Sequence, residues 1–231
     1  MSERPIGPPA ETAPCPVPSR SVLRGRYVTL EPISLAHTPE LFAVAEAGTQ
    51  RGDESWDYLG YGPFADEAGM RRQVGEFVAA LDPIAWAVRA HDTERVCGWV
   101  TLMDIQPRNA AIELGHIWLA PCLQRTQAAT EAMFLPLALA ADELGYRRLT
   151  WKCNALNAPS RRAAERLGFV FEGVLRAHMV VKGRLRDTAY FSMLPEEWAP
   201  ARDAIRAWLA PENQKDGKPV RGLAEIRTSF S

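Results

Sequence analysis

The chain has 231 residues, of which 47% are hydrophobic and 24% charged, with 27 basic and 28 acidic side chains. That length sets a prior of one to two domains, and the composition excludes a fibrous or wholly disordered protein. A net charge of -1 gives no field to draw in nucleic acid or an anionic membrane, so neither is an expected partner.

Cys15, Cys97, Cys122 and Cys153 stand far apart with no CxxC or Cys/His ligand spacing. They read as reduced thiols of a cytoplasmic protein, and no metal site is expected. Residues 1–20 carry six prolines, which predicts a disordered or polyproline-like arm rather than a secretory signal. Tyr27–Glu31 alternates as a strand does. Thr38-Pro39-Glu40 reads as a helix start with Thr38 as the cap, running to about Ala47. The glycine- and aromatic-rich stretch 48–64 reads as loop. Asp66 is expected to cap a helix over Glu67–Leu81 that buries Met70, Val74, Phe77, Val78 and Leu81.

Three strand-like runs follow, Ala85–Ala90, Val96–Asp104 and Ala111–Leu119, separated by turns. A long helix is expected over Gln127–Leu144, kinked at Pro136 and stopped by Gly145. Its apolar run Ala132–Ala141 is too short to span a bilayer. Then come a strand at Arg148–Cys153, a short helix at Pro159–Leu167, and two strands, Val170–Val181 and Leu185–Met193. Residues 211–231 read as a tail, docked through Leu223, Ile226 and Phe230. The order predicts a mixed α/β fold with one parallel step, from Ala111–Leu119 through a helix to Arg148–Cys153.

That parallel step is where chemistry is expected. A helix N-terminus carries unpaired N–H groups and partial positive charge, so it suits an anion. Gln124, Arg125, Thr126, Gln127, Ala128, Ala129 and Thr130 occupy this turn. They read either as a pyrophosphate cradle or as an ordinary β-to-α connection. After the second strand, Asn157 is placed to cap a helix and Ser160 falls three residues on, with Arg161 and Arg162 following. This reads either as a second part of the same site or as a plain capped surface helix.

Together the runs EPISLAHTPELF, AIELGHIWLAP, LQRTQAATEAM, NALNAPSRRAAERLGFVFEGVLRAH and RDTAYFSMLPEEW resemble the GCN5-related N-acetyltransferases (GNAT), in particular the RimJ/RimL-like branch. The resemblance covers residues 21–210 and leaves 1–20 and 211–231 as arms. It implies a GNAT-like fold: a central mixed seven-stranded sheet with a splayed parallel pair, flanked by about four helices. It also implies an acyltransferase that moves an acetyl group from acetyl-CoA to a primary amine by direct attack in a ternary complex. The acceptor would be a protein N-terminal amine or a small-molecule amine, and the resemblance allows a homodimer.

The family's Q/R-x-x-G-x-G/A run falls on Gln124–Ala129, with Gln127 where glycine is usual. The resemblance implies that backbone groups of Ile117, Trp118 and Leu119 and the side chain of Asn157 hold the pantetheine arm. It further implies that Ser160 serves the leaving thiolate. Glu113 reads as the general base or as a salt-bridged strand glutamate. His116 is expected on the opposite strand face unless a bulge intervenes. Trp56, Tyr58 and Tyr61 are expected to shape the acceptor pocket or cover the core. Tyr190, with His178 and Asp187, is expected to reach the acceptor side or to pack the hairpin. The odd Gln127 and the open question of the base motivate one alternative, a non-catalytic acyl-CoA-binding regulatory module.

Overall fold

The computed structural model describes residues 7, 9, 13–215 and 218–230. Half of the proline-rich stretch 1–20 expected to be an arm lies outside them. Its described end is held to the body: the Cys15 N–H donates to the Pro107 carbonyl at 3.1 Å, and the Arg20 guanidinium donates to the Phe77 carbonyl at 3.2 Å.

Eight strands form the main sheet: β1 (Leu23–Arg24), β2 (Val28–Pro32), β3 (Ile84–Ala90), β4 (Val96–Gln106), β5 (Ala111–Leu119), β6 (Arg148–Asn154), β7 (Val170–Val181) and β8 (Arg184–Met193). The spatial order is β1-β2-β3-β4-β5-β6-β8-β7. Only β5 and β6 pair parallel; the other neighbours are antiparallel. The strand beyond the seven expected is β1, a two-residue edge that two residues of alternation cannot announce.

Seven α-helices occur among the described residues: α1 (Thr38–Val44), α2 (Gln50–Glu54), α3 (Glu67–Ala79), α4 (Gln127–Ala138), α5 (Ala158–Leu167), α6 (Pro195–Leu209) and α7 (Leu223–Arg227). Three of them, α2, α6 and α7, go beyond the four expected. The α2 helix is a single turn within the predicted loop, started by Thr49, whose hydroxyl accepts the Gly52 N–H at 3.0 Å. The segment that follows α6 is folded as well: Leu223 and Ile226 of α7 are buried, whereas Phe230 is 45% exposed.

Two local expectations fail for identifiable reasons. Thr38 is not the cap of α1. A 3-10 turn at Leu35–His37 precedes it, and Ser34 and His37 form the reciprocal cap, leaving the Thr38 hydroxyl buried without a hydrogen-bond partner among the described residues. On α3, Asp66 does cap the helix through the Gly69 N–H at 2.7 Å, and Met70, Val74 and Phe77 are buried. Val78 and Leu81 are exposed, because the helix ends at Ala79 and its covered stripe is narrower than the apolar run.

The centre of the sheet is buried on both faces, as expected of strands covered by helices. The α4 helix carries one buried acid, Glu131. Its carboxylate accepts the N–H groups of Arg26, Tyr27 and Val28 at 2.8, 2.6 and 3.0 Å, which fixes α4 against the start of β2. Pro136 lies inside α4, and the helix continues into a π turn at Leu139–Glu143.

Candidate active site

The parallel pair is short. Residue partners run Ala111 with Arg148, Ile112 with Leu149 and Glu113 with Thr150, and then pairing stops. Beyond Glu113 the two strands diverge and leave a wedge-shaped gap. On its other edge β5 carries a bulge: Gly115 faces Thr101 and Trp118 faces Trp99, so His116 and Ile117 together oppose Val100. His116 takes a left-handed conformation, φ +43°. The extra residue shifts the alternation, and His116 and Glu113 line the same cleft. The expectation that they face opposite ways is thereby corrected.

The cleft has a volume of about 400 Å³. It is walled by Glu113, His116 and Ile117 of β5, by Lys152 of β6, by Asn157 and Ser160 at the start of α5, and by the β7–β8 hairpin. The tip of that hairpin is tied across the opening, since Lys182 Nζ donates to the Trp56 carbonyl at 2.8 Å.

Glu113 is 4% exposed. Its Oε2 lies 2.7 Å from Lys152 Nζ, yet among the described residues it has no aligned hydrogen-bond donor. The ammonium also donates to Asp104 Oδ2 at 3.0 Å. Burial raises the Glu113 pKa above the usual carboxylate value, and the Lys152 charge opposes that rise. Lys152 is itself held protonated by Glu113 and Asp104 against the cost of its burial. Burial lowers the pKa of His116, so its imidazole is neutral at neutral pH; its Nδ1 lies 3.2 Å from the Tyr61 hydroxyl.

At the other wall, Asn157 caps α5 by accepting the Ser160 N–H at 3.0 Å. The Ser160 hydroxyl oxygen accepts the Trp151 indole N–H at 3.0 Å. Its own O–H stays available as a donor, with the Cys153 sulfur as one acceptor in reach. Neighbouring Cys153 has its thiol pKa pushed up by burial, as befits an inert thiol.

Residues 28–170 match the family model described as an acetyltransferase (GNAT) domain. The chain belongs to the GNAT family. A GCN5-related N-acetyltransferase structure from Brucella melitensis is 44% identical, covering 94% of this chain and 98% of that one with a TM-score of 0.90. A probable GNAT-family acetyltransferase structure from Chromobacterium violaceum ATCC 12472 is 39% identical over 85% of this chain and all of that one, with a TM-score of 0.76. The Bacillus subtilis (strain 168) protein named "Putative ribosomal N-acetyltransferase YdaF" is 31% identical over 103 residues, 45% of this chain and 56% of that protein's length. This GNAT chain is an acyl-CoA-dependent acyltransferase.

In the turn after β5, Gln124 and Arg125 are exposed, Arg125 is left-handed at φ +65°, and Gln124 Nε2 donates to the Leu119 carbonyl at 3.0 Å. Thr126 caps α4 by accepting the Ala129 N–H at 3.0 Å. Ala128 and Ala129 complete the first turn and are buried. Gln127 reaches toward the C-terminal segment, its Nε2 donating to Gln214 Oε1 at 2.7 Å. Thr130 is buried and accepts from Arg166 of α5 at 3.1 Å, so its hydroxyl braces the two helices. Arg162 is exposed on α5.

The aromatic residues divide differently from the expectation. Tyr58 lines the cleft and donates its hydroxyl proton to the Leu156 carbonyl at 3.3 Å. Trp56 and Tyr61 stand behind the wall. Trp56 is 1% exposed and stacks on Trp118 at 4.3 Å; Tyr61 stacks on His116 at 5.6 Å. The Trp118 indole is also core, donating to Ser55 Oγ at 3.0 Å, so only its backbone belongs to the open edge of β5. Tyr190 is half-buried under Lys152, whose ammonium sits 5.3 Å from the ring centre.

Lys152, Arg186 and Thr188 line the cleft without having been singled out in the sequence. Lys152 carried a usable signal, a charge inside the strand run LTWKC. Among the described residues no group of three or more His, Cys, Asp or Glu is arranged to hold a metal ion, and no helix is long and apolar enough to cross a membrane.

Proposed function

We propose that this enzyme transfers the acetyl group of acetyl-CoA to a primary amine, by direct attack within a ternary complex. One observation carries the reading: β5–β6 pairing ends at Glu113 and Thr150, and the gap beyond it brings Glu113, Asn157 and Ser160 to a single cleft. Unpaired strand edges on either side of such a gap can hydrogen-bond an extended, amide-containing chain as a sheet would.

Acetyl-CoA supplies the activated thioester when bound. The N–H groups of the turn Gln124–Ala129 and the positive end of α4 suit its diphosphate. Backbone groups of Ile117, Trp118 and Leu119, with Asn157 opposite, suit its amide arm. Glu113 takes the proton of the ammonium acceptor: its buried Oε2 lacks an aligned donor, and its raised pKa brings it closer to the working pH of a base. Holding amine and acyl donor in one cleft supplies the proximity that direct attack requires. Ser160, its oxygen already accepting from Trp151, gives a proton or hydrogen bond to the departing thiolate.

A second candidate for the base rests on the bulge, which turns the neutral imidazole of His116 toward the same cleft. Thiol release from acetyl-CoA, measured over free amino acids, polyamines, aminoglycosides and peptides with free N-termini, tests the proposal. Release with at least one amine class, and formation of the N-acetyl product by mass, are expected. Tight CoA binding with no release for any amine would overturn it.

A further inference from the structure

Arg186 of β8 feels the charge of Glu113 but makes no hydrogen bond through its Nε among the described residues. It lines the cleft with Glu113 and His116, and it is near enough to both to influence their protonation electrostatically. Its Nε is buried and has no hydrogen-bond partner among the described residues, nor does the side chain make any ion pair there. The acids in reach are already engaged. Glu113 and Asp104 both hold Lys152, and Asp187, next to Arg186 in sequence, accepts the Ala177 N–H at 2.7 Å.

The position is built into the hairpin. β7 carries four steps from Leu175 to Met179 where β8 carries two from Thr188 to Arg186. Asp187 holds the resulting bulge, as does the 3.0 Å contact between His178 Nδ1 and Thr188 Oγ1. Leaving a guanidinium donor buried and unpaired costs free energy, which a ligand acceptor recovers. The planar fork of an arginine matches a carboxylate by two parallel N–H bonds.

Resting on the transferase reading above, we propose that Arg186 receives a carboxylate borne by the acceptor, so that the acceptors of this enzyme are amines carrying a carboxylate close to the amino group. A free amino acid offers this chemistry through its α-carboxylate, and a peptide N-terminus offers it through an acidic side chain. Lys152 and Glu113 then serve the amine end, and Arg186 sets which amines are held there.

The test compares matched pairs: free amino acids against their amides, and tripeptide amides with aspartate against asparagine at the second position. Both thiol release and calorimetric binding to the CoA-saturated protein are measured, for the wild type, Arg186→Gln and Arg186→Lys. In the wild type the acid of one pair is expected to exceed its neutral partner about tenfold or more in kcat/KM and in affinity. Arg186→Gln brings that ratio close to one, mainly through KM, and Arg186→Lys restores part of it. The pair that shows the preference identifies the source of the carboxylate.

Equal handling of acid and neutral partners by the wild type overturns the proposal. So does an Arg186→Gln variant that loses CoA affinity, or one that loses kcat on both members of a pair alike; those results assign Arg186 to the donor or to the reacting centre. If the acid preference appears in binding and vanishes in Arg186→Gln while no amine releases thiol, the carboxylate site stands and the transferase reading fails.

Discussion

The Glu113 carboxylate and the Lys152 ammonium lie 2.7 Å apart at the point where β5 and β6 separate. One buried acid is thereby kept ready to ionise, in a place where burial alone would favour its neutral form.

That pairing fixes the direction of a pH effect. The base works as the carboxylate, so the rate rises with pH through the Glu113 pKa. The Lys152 charge lowers that pKa, and Lys152→Met is therefore expected to move the acidic limb of the kcat/KM profile to higher pH. Glu113→Gln is expected to abolish that limb and to lower kcat/KM by roughly 10²–10⁴-fold, the range of a lost general base. An unshifted limb in Glu113→Gln, together with its loss in a His116→Gln variant, would transfer the role to His116.

Ser160 accepts from the Trp151 indole, which leaves its own O–H as the donor. Ser160→Ala is expected to lower kcat by about 10²-fold with CoA affinity changed only slightly, because the backbone N–H held by Asn157 remains. Trp151→Phe keeps a ring but removes the indole donor to Ser160, and a smaller fall in kcat is expected. Single-turnover thiol release beside calorimetric CoA titration separates the two effects.

Gln127 stands where the family commonly has glycine, and its amide is bonded to Gln214. With the side chain drawn toward the C-terminal segment, Gln127→Gly is not expected to tighten CoA binding. The variant gives up that bond and adds a flexible residue to the first turn of α4, a cost of about 0.5–1 kcal/mol. A CoA affinity improved tenfold would instead place the native side chain in the diphosphate site.

Trp56 packs in the aromatic core against Trp118, Trp99 and Phe64. Trp56→Ala is expected to cost about 3–5 kcal/mol of stability, as for other buried tryptophans, visible in denaturant unfolding. A stable variant with an altered acceptor KM would show that the ring belongs to the pocket after all.

Glu131 satisfies three backbone donors. Glu131→Ala leaves them without that acceptor, and each buried unmade bond costs about 1–3 kcal/mol. The melting temperature is expected to fall by well over 5 °C, given that about 1 kcal/mol corresponds to roughly 2–4 °C in a chain of this size. A shift below 2 °C would mean that water or a rearranged β2 takes over the acceptor role.

The strand and helix order around the site was legible in the chain itself. Short-range signals carry it: Asp66 and Asn157 as caps, Gly168 in a left-handed conformation at the end of α5, and the apolar runs of β3 to β6. Each depends on neighbours within a few residues, so local chemistry suffices. Helices such as α2, a single turn, and α7, within a polar segment, depend on what they pack against, and their composition alone does not distinguish them from loop.

The sequence by itself determined that a parallel β-α-β step with a capped second helix exists, and which residues the family resemblance puts there. Only the tertiary structure decided which side chains meet. The bulge at His116 reverses a face assignment that strict alternation makes, because one extra residue changes the parity of a strand. The Glu113–Lys152 contact, the tether of Gln127 to Gln214 and the electrostatic reach of Arg186 to Glu113 join positions 39, 87 and 73 residues apart in the chain. No periodicity reports such distances; the closure of the sheet does.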